Sequence, residues 1–394
     1  MINVARNPRR FLSAFTILLG LNLLVTTSHF STSYVNSSFL SSFFSPQHLS
    51  LLYIATPLIA ILLLGRVSVI VRRLGVRQTA LGTTLLLASS VFLLGGAPGP
   101  VSAAFFFIAQ ALLILTLRYL LDLYVESLAQ GEAETGGTRG LFITAGNTGV
   151  LIAPLIGAVA VFGTTFTPVY LIASFLLLPV LLILIGPLKA VVPRTPPTES
   201  TLRARVQEIF CCRIELRRIM TAHFLVQLFF AGSIIYVPLY LFGEGIPWQI
   251  IGTISALSVI PYLLLEIPLG ALADRAWGEK EITLTGLFIT GGALILLSTT
   301  PVSNFILWTM WYLLANVGGA LVEVGTESYF FKQVTEADTD IIGAFRILRP
   351  LGATAAPLIA LITIPLWGFE NIFAAFGVAV LVGLVPLSNL TDTR

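Results

Sequence analysis

The sequence predicts an all-α polytopic membrane protein with twelve transmembrane helices in two six-helix repeats, and three observations carry that reading. The first is composition: of 394 residues 56% are hydrophobic and 10% charged, with a mean hydropathy of +0.94. A soluble domain carries about 25% charged residues. The second is continuity, because the apolar runs are long and unbroken and lack the two-residue alternation of a barrel strand. The third is recurrence of short motifs at a nearly fixed offset.

In chain order the apolar runs cover approximately 11–35, 48–71, 79–97, 101–125, 141–163, 167–188, 219–242, 248–272, 282–299, 303–329, 342–364 and 369–389. Each is near the roughly 20 residues that cross about 30 Å of hydrocarbon as a helix. Span 1 follows the basic head "MINVARNPRR". Its length and the spans after it mark a retained helix rather than a signal peptide.

Basic residues orient the spans. Arg6, Arg9 and Arg10 precede span 1; Arg66, Arg72, Arg73 and Arg77 follow span 2; Arg139 follows span 4. Lys189, Arg194, Arg203, Arg205, Arg213, Arg217 and Arg218 fill the middle connector, and Arg275 and Lys280 follow span 8. Lys332, Arg346 and Arg349 follow span 10, and Arg394 ends the chain. Of 22 basic residues only Arg118 falls outside this side, and the opposite connectors "NSSFLSSFFSPQ" and "GTTFT" carry none. Both termini are therefore expected in the cytoplasm of a protein of the plasma membrane.

The expected divisions are an amino-terminal bundle, 1–188, a cytoplasmic linker, 189–218, and a carboxyl-terminal bundle, 219–394. Within the linker, "VPRTPPTES" reads as extended and "TLRARVQEIFCCRIELRR" as an interfacial amphipathic helix. Cys211 and Cys212 are adjacent and match no metal spacing.

The repeat is read from three matches: "DLYVES" at 122–127 with "EVGTES" at 323–328, "TGVLIAPLI" at 148–156 with "LGATAAPLI" at 351–359, and Tyr34-Val35 with Tyr236-Val237. Their offsets are 201, 203 and 202, as a duplicated six-span unit requires.

"GALADRAWGEK", 270–280, resembles the G-x-x-x-D-R-x-G-x-[RK] loop of the major facilitator superfamily and lies after span 8. "SVIVRRLGVR", 68–77, is the degenerate first copy, with Ser68 for the first glycine and Arg72 for the aspartate. "YVESLAQGEAETGGTRG", 124–140, resembles the connector between spans 4 and 5, and "GNTGVLIAPLIGA" a weakened span 5 pattern.

That resemblance implies a secondary transporter working by alternating access, with spans 1, 4, 7 and 10 lining a cavity between the halves. It also implies a cytoplasmic latch: Gly270, Asp274, Arg275, Gly278 and Lys280, with Arg139 as a partner, and the gate acids Glu126 and Glu327 engaging Arg139, Arg346 or Arg349. Where the family has an aspartate this chain has Arg72. With Arg73, it is expected to pair with Asp338 or Asp340 in exchanged polarity.

Arg118, Asp122 and Glu126 are spaced four apart and share one helical face. Arg118 lies eight residues before Glu126, about 12 Å deeper, where a charge costs roughly 2.5–3.5 kcal/mol. Two readings stand. Asp122 or its repeat mate Glu323 takes up a proton, since desolvation favours a protonated carboxyl and a nearby arginine a charged one; or Arg118 and Asp122 form a permanent structural pair. His29, Asn147, Gln227 and Tyr236 are further candidates for cavity contact or interhelical hydrogen bonds, and Glu266 stands in span 8.

No nucleotide-binding loop, paired-histidine motif or nucleophile constellation occurs. The expectation is therefore no enzyme, metal, cofactor or nucleic-acid partner. What remains is a monomer in the lipid bilayer, carrying a small organic solute with H+ as coupling ion. The alternatives are a facilitative uniporter, a drug/H+ antiport-like efflux carrier, or a lipid-handling protein on the same scaffold.

Overall fold

The computed structural model describes residues 8–128, 132–186, 188, 213–265, 268, 278–334 and 339–391. Among them ten helices are long and apolar enough to cross a membrane: Ala14–Leu40, Pro46–Leu63, Val76–Gly95, Pro100–Val125, Thr167–Ile185, Ile214–Gly243, Trp248–Leu265, Glu279–Thr299, Phe305–Gln333 and Ile341–Trp367. Two shorter apolar helices, Thr144–Ala160 and Ile372–Leu387, fill the places of spans 5 and 12. Every expected span thus has a helix. Leucines, valines and phenylalanines stay exposed along them, among them Leu62 at 77%, Phe105 at 64% and Val385 at 72%, as a surface solvated by acyl chains requires.

The helices run past the apolar runs that announced them. Span 2 continues as helix from Pro46 to Leu74, so Arg72 and Arg73 occupy its last turn. The negative end of the helix dipole favours cations there. The expected loop over 68–77 shrinks to Gly75, whose φ of +85° suits a residue without a Cβ, and span 3 starts at Val76. Arg77 then caps the end of span 6, donating from Nε to Leu184 O at 3.0 Å and from a terminal nitrogen to Ile185 O at 2.9 Å. Span 7 begins at Ile214. Arg218 donates to Glu215 and to Asn389 O, both at 2.6 Å, and Thr391 N donates to Glu215 at 3.1 Å, tying the start of span 7 to the chain after span 12. The connector 189–212, with its expected amphipathic helix, lies outside the described residues.

The chain forms two compact units, and each spans parts of both sequence halves. One comprises Met1–Phe44, Thr56–Thr198 and Ile246–Ala256; the other comprises Ser45–Ala55, Glu199–Gly245 and Leu257–Arg394. In the first, span 1 packs against span 5, and Trp248, at the start of span 8, meets Phe166 edge to face at 5.7 Å. A Cβ on Gly252 would lie 2.4 Å from Pro154 O and 2.7 Å from the Ala158 Cβ. The small residues of the "APLIGA" segment thus make room for span 8. In the second unit Ser50, near the start of span 2, lies beside the Tyr236 hydroxyl of span 7. Both exchanged segments end beside an irregularity in their own helix: Pro57 in span 2 and the turn at 258–259 in span 8.

The repeat is physical as well as textual. A Cβ on Gly149 of span 5 would meet Leu23 O of span 1 at 2.9 Å, and one on its mate Gly352 of span 11 would meet the Gln227–Leu228 peptide of span 7 at 2.6–2.7 Å. Each copy therefore needs a bare Cα at the same place to bring its first and fifth helices together.

Candidate functional site

In the first unit the polar side chains of span 1 are drawn inward. Asn22 Nδ2 donates to Phe142 O of span 5 at 2.7 Å, and Ser28 Oγ to Ala173 O of span 6 at 2.7 Å. Tyr170 of span 6 donates to Asn36 Oδ1 at 2.7 Å. Gln110 Nε2 of span 4 donates to Thr32 Oγ1 at 2.5 Å, which in turn donates to His29 O at 2.9 Å. Asn22, Ser28, Thr32 and Asn36 thus fasten span 1 to its neighbours, whereas Thr26, Thr27, Ser31 and Ser33 bond back within span 1.

The Arg118 guanidinium carbon lies 5.5 Å from the centre of the Phe30 ring, a cation–π contact between spans 4 and 1. His29 meets the same ring edge to face at 5.0 Å. Arg118, Asp122, His29 and Asn147 are half-buried, and the first three are all engaged in interactions.

In the second unit a polar chain crosses from span 10 to span 7. Thr326 Oγ1 donates to Val322 O at 2.7 Å and to Glu323 O at 3.1 Å, and lies 3.0 Å from His223 Nδ1. His223 Nε2 lies 3.2 Å from Gln227 Nε2. With the Thr326 proton on a carbonyl, the imidazole donates from Nδ1 to Thr326 and accepts from the Gln227 amide at Nε2. His223 is 4% exposed and stacks on Phe345 of span 11 at 4.1 Å. The Gln227 Oε1 atom is buried without a partner among the described residues. Glu323 is half-buried and engaged, and Tyr236 is buried.

The latch residues divide. Gly270, Asp274, Arg275 and Asp338 lie outside the described residues, as do the side chains of Glu126, Arg139 and Asp340; Glu266, the cavity candidate of span 8, lies outside them too. Gly278 caps span 9, Lys280 and Glu327 are half-buried and engaged, and Arg72, Arg73, Arg346 and Arg349 are exposed.

Sequence reading passed over Glu279. It opens span 9 with its side chain 1% exposed and pairs with Lys332 in the last turn of span 10. A carboxylate at a helix start and an ammonium at a helix end each complement the local dipole. The clue in the sequence is only that Glu279 sits inside "GEK", between the glycine and the lysine that the loop pattern counts. Thr326 was passed over too, three residues after Glu323.

Residues 219–393 match the family model described as Major Facilitator Superfamily. The solved structures similar to the chain include a D-xylose-proton symporter, 15% identical with a TM-score of 0.76, covering 97% of this chain and 98% of that one. They also include a POT family transporter in complex with a thioalcohol-conjugated peptide, 14% identical with a TM-score of 0.73, covering 94% of each chain. The family match falls in the carboxyl-terminal half, and the whole chain shares the fold of these two transporters. No curated protein matches the sequence. In this fold the placement of charge is the informative feature: Asp122 and Glu323 occupy equivalent repeat positions in spans 4 and 10, and only Asp122 has an arginine four residues earlier, Gly319 standing at the other place.

Proposed function

We propose that this chain is a secondary active transporter of the plasma membrane that moves a small organic solute by alternating access, with a proton as coupling ion. The observation that carries the reading is the ionisable set Arg118, Asp122 and Glu323, half-buried within spans 4 and 10. A charge within a span costs roughly 2.5–3.5 kcal/mol or more, and ionisable residues held there mark ion and substrate pathways. The superfamily match and the likeness in fold to a proton symporter and to a peptide-bound transporter support it. Asp122, held charged by Arg118, serves solute binding, and Glu323 carries the proton. Gly278, Lys280, Glu327 and Arg346 belong to the cytoplasmic gate, and both termini face the cytoplasm.

Reconstitution into proteoliposomes tests the class. A carrier gives saturable uptake that accelerates when unlabelled solute is loaded inside, whereas a channel gives neither saturation nor counterflow, and an enzyme changes the solute chemically. With the solute in hand, an imposed pH gradient separates a coupled carrier, which concentrates it, from a uniporter, which only equilibrates it. The direction of the gradient that drives uptake separates symport from efflux by antiport.

A further inference from the structure

Span 11 has two distinct faces. Leu351, Leu358 and Ile362 are 38%, 45% and 59% exposed, and at 3.6 residues per turn they fall within about 40° of one another. Opposite them lie Phe345, Gly352, Ala356 and Ala360, all buried. Phe345 stacks on His223, and Gly352 abuts the Gln227–Leu228 peptide of span 7. Arg349 follows Phe345 by four residues and precedes Gly352 by three, which sets it about 160° from Leu351. It stands on the buried face, yet it is exposed.

Its depth and the absence of a counter-charge among the described residues make that position informative. Arg349 is eight residues, about 12 Å at 1.5 Å each, beyond Ile341, where the apolar stretch begins. Among the described residues it forms no hydrogen bond or ion pair, and its charge is felt by His223. A guanidinium stays charged at any physiological pH. One that the described residues leave uncompensated within an apolar helix is suited to an anion supplied from outside the chain.

We propose that Arg349 is an anion-binding residue of the solute pathway, and that the solute carries a carboxylate or phosphate group. The proposal rests on the transporter reading and names the substrate class for it. The planar fork of the guanidinium takes two oxygens of such a group at once. Its place opposite the lipid-exposed stripe favours a soluble anion over a lipid headgroup.

The test uses the purified full chain and thermal melting against paired probes: benzoate with benzamide, succinate with succinamide, glycerol 3-phosphate with glycerol, and a wider set of carboxylates and phosphate monoesters. At least one anion is expected to raise the melting temperature where its neutral counterpart does not. Arg349→Gln should remove that shift while melting like the parent without ligand, and Arg349→Lys should keep it with affinity about tenfold weaker, one bidentate contact being lost. An equal shift from the neutral partner, an anion shift that survives Arg349→Gln, or no shift across the whole set overturns the proposal. So does an Arg349-dependent shift produced only by phosphatidylglycerol nanodiscs relative to phosphatidylcholine ones. Saturable counterflow of a neutral or cationic solute overturns the anion assignment and leaves the transporter reading standing. Absence of counterflow for every solute, the anions included, removes both.

Discussion

Glu323→Gln is expected to abolish accumulation driven by a pH gradient while solute exchange continues. One coupled proton supports about a tenfold concentration ratio per pH unit, since 1.36 kcal/mol corresponds to one unit, so the ratio should fall from about ten to about one. The reason is asymmetry between the repeats. Arg118 stands one turn before Asp122 and favours its charged form, whereas Gly319 stands one turn before Glu323 and leaves that carboxyl freer to hold a proton. Asp122→Asn should instead damage binding or folding by removing the carboxylate nearest Arg118 along span 4. Flux in proteoliposomes with and without the gradient separates the two, and an undiminished ratio in Glu323→Gln would place the proton elsewhere.

The largest effect on stability is expected at Gly318. A Cβ there would lie 2.5 Å from Thr290 Oγ1, 2.7 Å from Gly286 O and 2.7 Å from Thr290 N, and one on Gly286 would lie 2.7 Å from Gly318 O. Spans 9 and 10 meet backbone to backbone, so no rotamer change can relieve an added side chain. Overpacking costs about 1–3 kcal/mol where neighbours can shift; here Gly318→Leu must separate two helices and should exceed that, against a total stability of about 5–15 kcal/mol. The expected result is loss of the monodisperse peak in size-exclusion chromatography, with Gly318→Ala melting several degrees early. Gly292→Leu is the control, because a Cβ there meets nothing within 4 Å.

Helix positions were legible because a run of apolar residues long enough to cross the bilayer has few other folded forms in lipid. The repeat was legible because the same close approach constrains both copies, as Gly149 and Gly352 do. The charged positions of spans 4 and 10 were legible because charges are rare in such segments. Partners were not. Periodicity gives the depth and face of a residue but not which helix faces it, so His223 with Thr326, 103 residues apart, could not be read. Nor could Arg77 over Leu184, 107 apart, or Glu279 with Lys332. Helix ends were also missed where charged residues continue a helix beyond the hydrocarbon, as Arg72 and Arg73 do.

The exchange of Ser45–Ala55 and Ile246–Ala256 bears on how such a chain can be divided or could have arisen. A single six-span copy would lack an eleven-residue piece of its own unit and hold a surplus piece belonging to another. Two free copies trading these pieces reciprocally would be a domain-swapped dimer. In one continuous chain the trade becomes intramolecular, and the tether supplies the effective concentration that free copies would have to reach by association. A chain cut within 189–212 should therefore give fragments that aggregate when made separately. Made together, they should co-purify as a complementing pair.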